Sequence, residues 1–451
     1  MTILDKPVRL GLGAALLSCC AVSALAQDYT ITVWSGGTGD DSNYRYDAIG
    51  MAAEILEREA EIRGEELNIT VESQAWSGWD DFKQAFTLAA EAGNAPDILV
   101  SGHEDIGPWS EAGLIVPIED YTFFDVWPLS SIYPNLIDVA SYNGQIWGVP
   151  QDAEARVMYW SIPALEAIGW SAEEIESLPA RVESGEFTLY DMLDAVKQMQ
   201  DEGVIEAGMG FGPRVSNGPD YWQFYQSFGG EMADPETGKL VVDTEALTGM
   251  YQFFTDAAEM GVVSDTHLGT EWDSWHQNAA SGNYGVWHGG TWHYAQWTNQ
   301  FGLEDFFGTV QYTLIPAGDE NGRANSITHP LVYLLTSAAS EDEAMIAAEL
   351  IAIASEPRIN ALHAVKSAHL GISEAETLVP IYADDRWLSA ASERLAPHTN
   401  AIPNNSDFGT YWTAMFDGLE ASWTGVTSVE DAVSEVEANV TQALGDDVIV
   451  R

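Results

Sequence analysis

Apolar positions near the start of the chain fall into short runs that alternate with longer stretches of helical spacing. TITVW (30–34) predicts a strand, and the turn-rich SGGTGDDSN follows it. Ile49, Ala52, Leu56 and Ala60 then recur three and four apart, which predicts a helix with one buried face. LNITVES (67–73) predicts a second strand, Phe82, Phe86 and Ala89 mark a second helix, and Ile98-Leu99-Val100 after Asp97 reads as a buried third strand. Alternation of this kind predicts an α/β domain. Ligands bind such sheets where strands end in Gly-rich turns, so SGG after Trp34 and SGHED after Val100 face the expected cleft.

Residues 142–160, YNGQIWGVPQDAEARVMYW, break the rhythm with a turn, a Gly-x-Pro step and an extended apolar run. This predicts a crossing between two lobes. Helical patterns dominate beyond it, as in FTLYDMLDAVKQMQDEG (187–203), and predict a second α/β lobe. Ser428 with Asp431 three residues on announces a last helix, whose Val429, Val433, Val436, Val440 and Leu444 form one apolar stripe. No internal repeat interrupts this order.

Composition changes the picture at the N-terminus. Lys6 and Arg9 precede the run LGLGAALLSCCAVSALA, and Ala24-Leu25-Ala26 precedes Gln27, the pattern of a secretory signal peptide cleaved after Ala26. Leu16-Leu17-Ser18-Cys19 is a poorer lipoprotein box, so lipid anchoring at Cys19 is the lesser expectation. Both cysteines lie in the signal, so disulfides, thiolate metal sites and cysteine nucleophiles are excluded from residues 27–451. Removing Asp5, Lys6 and Arg9 with the signal leaves 15 basic against 69 acidic residues, a formal charge of −54. Nucleic acid and anionic membranes are poor partners for such a surface. The acids are scattered through a chain that is 46% hydrophobic, which predicts a folded protein with an acidic skin suited to saline surroundings.

Candidate chemistry is sparse. His288 and His293 stand five apart, unlike a zinc pair, and no H-E-x-x-H accompanies them, so no metal and no cofactor is expected. Ser35-Gly36-Gly37 lacks the Lys-Ser/Thr of a phosphate loop, and no G-x-S-x-G marks a serine nucleophile. The 17 tryptophans say more. Any one of them is readily core, yet Trp76, Trp79, Trp222, Trp275, Trp292 and Trp412 sit in polar, loop-like sequence. Aromatic faces beside carboxylates and amides suit a pyranose, whose C–H face packs on an indole while its hydroxyls need hydrogen-bond partners.

Four stretches carry a family resemblance: 95–120, 142–160, 281–297 (SGNYGVWHGGTWHYAQW) and 400–414 (NAIPNNSDFGTYWTA). In order and spacing they resemble the family 1 extracellular solute-binding proteins of ABC importers, the group that includes the maltodextrin binders. The resemblance implies a two-lobe periplasmic-binding-protein fold of type II, with a ligand cleft between the lobes. It divides the chain into the signal peptide (1–26), lobe 1 (27–151 plus 331–384) and lobe 2 (152–330 plus 385–451). It implies a periplasmic, monomeric, non-enzymatic carrier of a sugar or short oligosaccharide that delivers to a membrane permease and its ATPase subunits.

Residue by residue, the resemblance places a hydroxyl-binding acid at Glu104 and hinge-side carboxylates at Asp152 and Glu154. It places sugar-facing rings at Trp292 and Trp412, and a further aromatic at Tyr221 or Trp222. Gly36, Trp76 and His288 complete the expected ligand-binding set. Asp105 stands where the maltodextrin binders have a basic residue, and Thr38-Gly39 replace an Asp-Lys pair, so a long maltodextrin is not implied. Three rivals remain. An anionic sugar derivative would call on Arg45, Arg156, Arg214 and Lys366 as a clamp. A secreted glycosidase would use Glu104 and Glu154 as its carboxylate pair. A quaternary-ammonium osmolyte would sit in a Trp/Tyr cage.

Overall fold

The computed structural model describes residues 27–37, 40–76, 78–264 and 266–451. The expected signal peptide, Cys19 and the Thr38-Gly39 pair lie outside the described residues.

The first apolar runs form a sheet in which Gln27–Ser35 lies between Leu67–Ala75 and Ile98–Gly102, all three parallel. Ile31 and Val33 point inward and are fully buried. The helices Asp40–Arg63 and Trp79–Glu91 follow the first two strands. Ile49, Ala52, Leu56 and Ala60 of one, and Phe82 and Phe86 of the other, are the buried positions their spacing predicts. A late strand, Leu331–Thr336, pairs antiparallel with Ile98–Gly102 and also with Gly148–Pro150.

The second sheet is built from later sequence, in the order Val310–Thr313, Arg156–Ser161, Val286–Gly290, Phe211–Gly212. Its middle strands are buried throughout, and Val157-Met158-Tyr159-Trp160 accordingly reads as a continuous apolar run rather than an alternating one. The helix expected over 187–203 is Leu189–Asp201, begun by Thr188 and Asp191 in a reciprocal cap. The last helix, Val429–Leu444, starts at the expected cap, where Ser428 Oγ accepts from the Asp431 N–H at 3.1 Å.

The two sheets are joined where the chain leaves Gly148–Pro150 for Arg156–Ser161, and again where Ser326–Thr328 leads back to Leu331–Thr336. These crossings lie side by side. The Arg156 N–H donates to Ser326 Oγ at 3.0 Å, and the Glu154 N–H to Thr328 Oγ1 at 3.3 Å. A third segment, Thr399–Ala401, pairs parallel with Ser326–Thr328. The result is two α/β lobes with a floor of crossing segments between them. No helix among the described residues is long and apolar enough to cross a membrane.

Candidate ligand-binding site

Glu104 follows the buried strand Ile98–Gly102, at the strand end where a cleft residue is expected. Its two carboxylate oxygens are held separately: Lys83 Nζ lies 2.9 Å from Oε1 and His329 Nε2 2.7 Å from Oε2. Lys83 also reaches Asp105 Oδ1 at 2.7 Å, and Ser101 Oγ donates to the other Asp105 oxygen at 2.6 Å. His329, on the returning crossing, turns its Nδ1 toward Glu154 Oε1 at 3.9 Å. Glu154 is ion-paired with Arg156. Arg156 Nε is 3.2 Å from Asp220 Oδ1, and Arg214 donates to Asp220 Oδ2 at 2.9 Å. Charges therefore alternate from Lys83 to Arg214 across the floor between the lobes.

The tryptophans attach to this chain of charges. The Arg156 guanidinium carbon stands 4.9 Å from the Trp292 ring centre, within cation–π range. Trp292 is half-buried and folds over Gly290, where a Cβ would lie 1.9 Å from the indole, so only glycine fits beneath it. On the Arg214 side, Arg214 Nε donates to the Asn217 carbonyl at 3.2 Å, and the Asn217 side chain accepts from the Trp412 indole N–H.

Burial sets the protonation of these groups. Burial pushes the Glu104 carboxyl up, but His329 and Lys83 together hold it well below the usual range. Asp220 is likewise pushed up by burial and pulled down further by Arg156 and Arg214. Burial alone would lower His329, yet Glu104 raises it above the ordinary histidine value. Glu154 is raised, because burial outweighs Arg156 and His329. Asp105 is raised to about 6 by burial against the pull of Lys83.

The structure brings Glu104, Glu154 and Trp292 together and leaves other expected residues elsewhere. Asp152 is buried, accepts the Leu331 N–H at 2.9 Å and pairs with Arg45 at 3.4 Å. Tyr221 is fully buried, and its hydroxyl donates to the Arg214 carbonyl, so its ring packs the core against Phe254 and Phe416. Trp222 is fully buried and packs against Trp412, itself only 7% exposed, at 4.2 Å between ring centres and 34° between planes. His288 is buried with Nε2 on Gln223 Oε1 at 2.7 Å, a structural pairing. At Gly36 a Cβ would meet Trp79 at 2.6 Å and Phe82 at 2.8 Å, so packing explains this glycine. Trp76 is half-buried beside Trp34 in the same corner.

Of the candidate anion clamp, Arg45, Arg156 and Arg214 are each ion-paired to a carboxylate, while Lys366 is exposed. Sequence reasoning missed Lys83, His329 and Asp220. The available signal was a lone charge in apolar surroundings, such as Lys83 beside Phe82 on a helix face that carries Phe86.

The profile of the bacterial extracellular solute-binding proteins matches residues 57–359, more than half of the chain. The chain belongs to that family. Among solved structures, this solute-binding protein is similar to the maltose-bound MalE3 of T. maritima, with 18% identity and a TM-score of 0.75 over 92% of this chain and 100% of the other. A Thermotoga lettingae ABC-transporter solute-binding protein with α-D-tagatose superposes with a TM-score of 0.73 at 19% identity, over 92% and 100% of the two chains. These likenesses establish the two-lobe α/β fold with its interlobe cleft. The maltotriose-binding protein of Pyrococcus abyssi is 32% identical over 81 residues, 18% of this chain and 17% of that relative's length. Family and fold are those of binding proteins rather than enzymes.

Proposed function

We propose that this solute-binding protein captures a neutral sugar or short oligosaccharide between its lobes and presents it to an ABC permease with its ATPase subunits. The observation that carries the reading is the charge-paired floor, with Glu104 and Glu154 beside Trp292. Each carboxylate keeps lone pairs for ligand hydroxyls while its charge is already balanced, and a hydrogen bond to such a group contributes about 1.5–3 kcal/mol. A half-buried indole next to them offers a face for sugar C–H groups. The similar proteins named for maltose, tagatose and maltotriose support the same ligand class. In this reading lobe 1 is 27–151 plus 331–384 and lobe 2 is 152–330 plus 385–451. The protein acts as a periplasmic monomer after cleavage at Ala26, and ligand closes the cleft because only the closed form contacts it from both lobes.

An anionic sugar is the second reading, favoured by Arg156 and Arg214 meeting at Asp220, with Arg45 apart at Asp152. Each of these already faces a carboxylate, so an added anion would meet a floor without surplus positive charge. The glycosidase alternative fares worse, because His329 stands between Glu104 and Glu154, where substrate would have to lie. Calorimetric titration of residues 27–451 with neutral mono- and disaccharides, uronates and quaternary ammonium compounds tests the proposal. Saturable heat with a neutral saccharide is expected, and binding confined to the charged compounds would overturn it.

A further inference from the structure

Behind Trp292 lies a second cluster, made of Asp152, His363 and His369, each at most 4% exposed. Asp152 comes from the crossing segment, His363 from the helix Pro357–Ser367, and His369 from just beyond that helix. Ala368, a non-glycine residue at φ 58°, turns the chain there, and the two imidazoles lie 5.2 Å apart. Such a backbone is uncommon outside glycine and costs free energy, so His369 is placed at some expense.

The spacing of the three groups is long for hydrogen bonds. His363 Nε2 is 3.4 Å and His369 Nε2 3.8 Å from the same Asp152 oxygen, and all three atoms lie within 4.8 Å of one another. Hydrogen bonds of this type run about 2.7–3.2 Å. A tetrahedral ion with bonds of about 2.0–2.1 Å has ligand atoms roughly 3.3–3.4 Å apart, which the His363–Asp152 spacing matches, while His369 stands farther out at 3.8 Å.

The proton positions point the same way. Ser367 Oγ donates its one hydrogen to the His363 carbonyl at 2.8 Å, the usual bond of a helical serine. It is then an acceptor for His369 Nδ1 at 2.8 Å, so the His369 proton sits on Nδ1. That assignment leaves the His369 Nε2 lone pair facing a carboxylate oxygen 3.8 Å away, an arrangement that a cation between them would relieve, while Ser367 Oγ also lies 3.2 Å from His363 Nε2. Two outer contacts suit a metal site: Ser367 fixes the His369 tautomer, and the Leu331 N–H holds the other Asp152 oxygen at 2.9 Å, while His363 Nδ1 is buried without a hydrogen-bond partner among the described residues.

We propose that Asp152, His363 and His369 bind one divalent transition-metal ion of the zinc class. Arg45, 3.4 Å from the same Asp152 oxygen, shares that carboxylate and keeps the site weaker than a dedicated structural zinc site. The ion ties the crossing segment to the helix Pro357–Ser367. His369 also stacks on Trp292 at 5.6 Å and 8° between planes, so occupancy reaches the cleft through that ring.

Chelator-stripped residues 27–451 are titrated with Co²⁺ and followed by visible d–d absorption and melting temperature, with carbohydrate absent throughout. Expected are a tetrahedral-type band that saturates at one Co²⁺ per chain, displacement by Zn²⁺ but not by Mg²⁺ or Ca²⁺, and a raised melting temperature. His369→Gln abolishes the band, while His398→Gln, on a partly exposed histidine elsewhere, leaves it intact. No saturable band in the unmodified protein, or a band that survives both His363→Gln and His369→Gln, overturns the proposal. The unmodified protein decides the matter even where a variant fails to fold, and the readout is independent of sugar binding.

Discussion

Trp292 and Trp412 look alike in sequence, each in a polar segment near glycine, yet the structure gives them different work. Trp412 is 7% exposed and packed on Trp222, so Trp412→Ala opens a cavity in lobe 2. A loss of about 3–5 kcal/mol is expected, seen as a large fall in melting temperature. Trp292 is half-buried over Gly290, so Trp292→Ala is expected to cost less stability and to weaken sugar affinity by about 1–3 kcal/mol of lost apolar contact. Melting curves and fluorescence titration of the two variants check the contrast, and equal melting losses would refute it. Glu104→Gln keeps the shape of its side chain and removes the charge shared by Lys83 and His329. Its sugar affinity is expected to drop by about 1.5–3 kcal/mol. Unchanged affinity in calorimetry would move the ligand away from this carboxylate.

At the scale of elements, the crossing that carries His329 links lobe 1, through Glu104, to the segment around Glu154. His329 is raised above its ordinary value, so its contribution to stability is full below that value and disappears as pH climbs through the raised one. Glu104 is depressed, so its contribution is full above the ordinary glutamate value and lost only when pH falls through the lower one. The pair therefore acts between the lowered value of Glu104 and the raised value of His329. The gap in melting temperature between the natural protein and His329→Gln is expected to shrink as pH rises from the ordinary histidine value of about 6.5 through the raised one. A gap that stays constant over that range would remove His329 as the titrating group.

Elements of this kind were legible in the sequence wherever the signal was local. Ile49, Ala52, Leu56 and Ala60 reveal a helix because 3.6-residue spacing needs no knowledge of the rest of the chain. The pairing of His329 with Glu104 spans 225 positions, and that of Arg45 with Asp152 spans 107, so nothing near either residue announces its partner. Family resemblance, rather than local pattern, points to Glu104 and Glu154. The same route draws in Tyr221 and His288, which are core because ring burial is decided by neighbours remote in sequence.

Across the whole molecule, surface charge works against folding. With −53 over 451 residues, repulsion among surface acids opposes the compact state. Salt screens exposed charges over about 10 Å at 0.1 M and about 3 Å at 1 M, and reaches buried pairs far less. The internal ion pairs at Arg156 and Arg45 therefore survive conditions that relieve the surface. Residues 27–451 are expected to melt at a higher temperature in about 1 M NaCl than near 10 mM. A flat or falling melting temperature between those salts would contradict this balance.

Beyond residue 26 the chain contains only Lys83, Lys197, Lys239 and Lys366. Lys83 is clamped between Glu104 and Asp105, and their charges outweigh burial to raise its ammonium far above the ordinary lysine value. An amine with no free lone pair cannot attack an acylating reagent, whereas Lys366 is exposed and open to one. The ratio of acylation at Lys83 to that at Lys366, read by mass spectrometry, is thus a built-in chemical gauge of whether the clamp of Glu104 and Asp105 is intact, and a low ratio marks the intact clamp. Glu104→Gln, which removes one side of the clamp, should speed the first amine and leave the second unchanged.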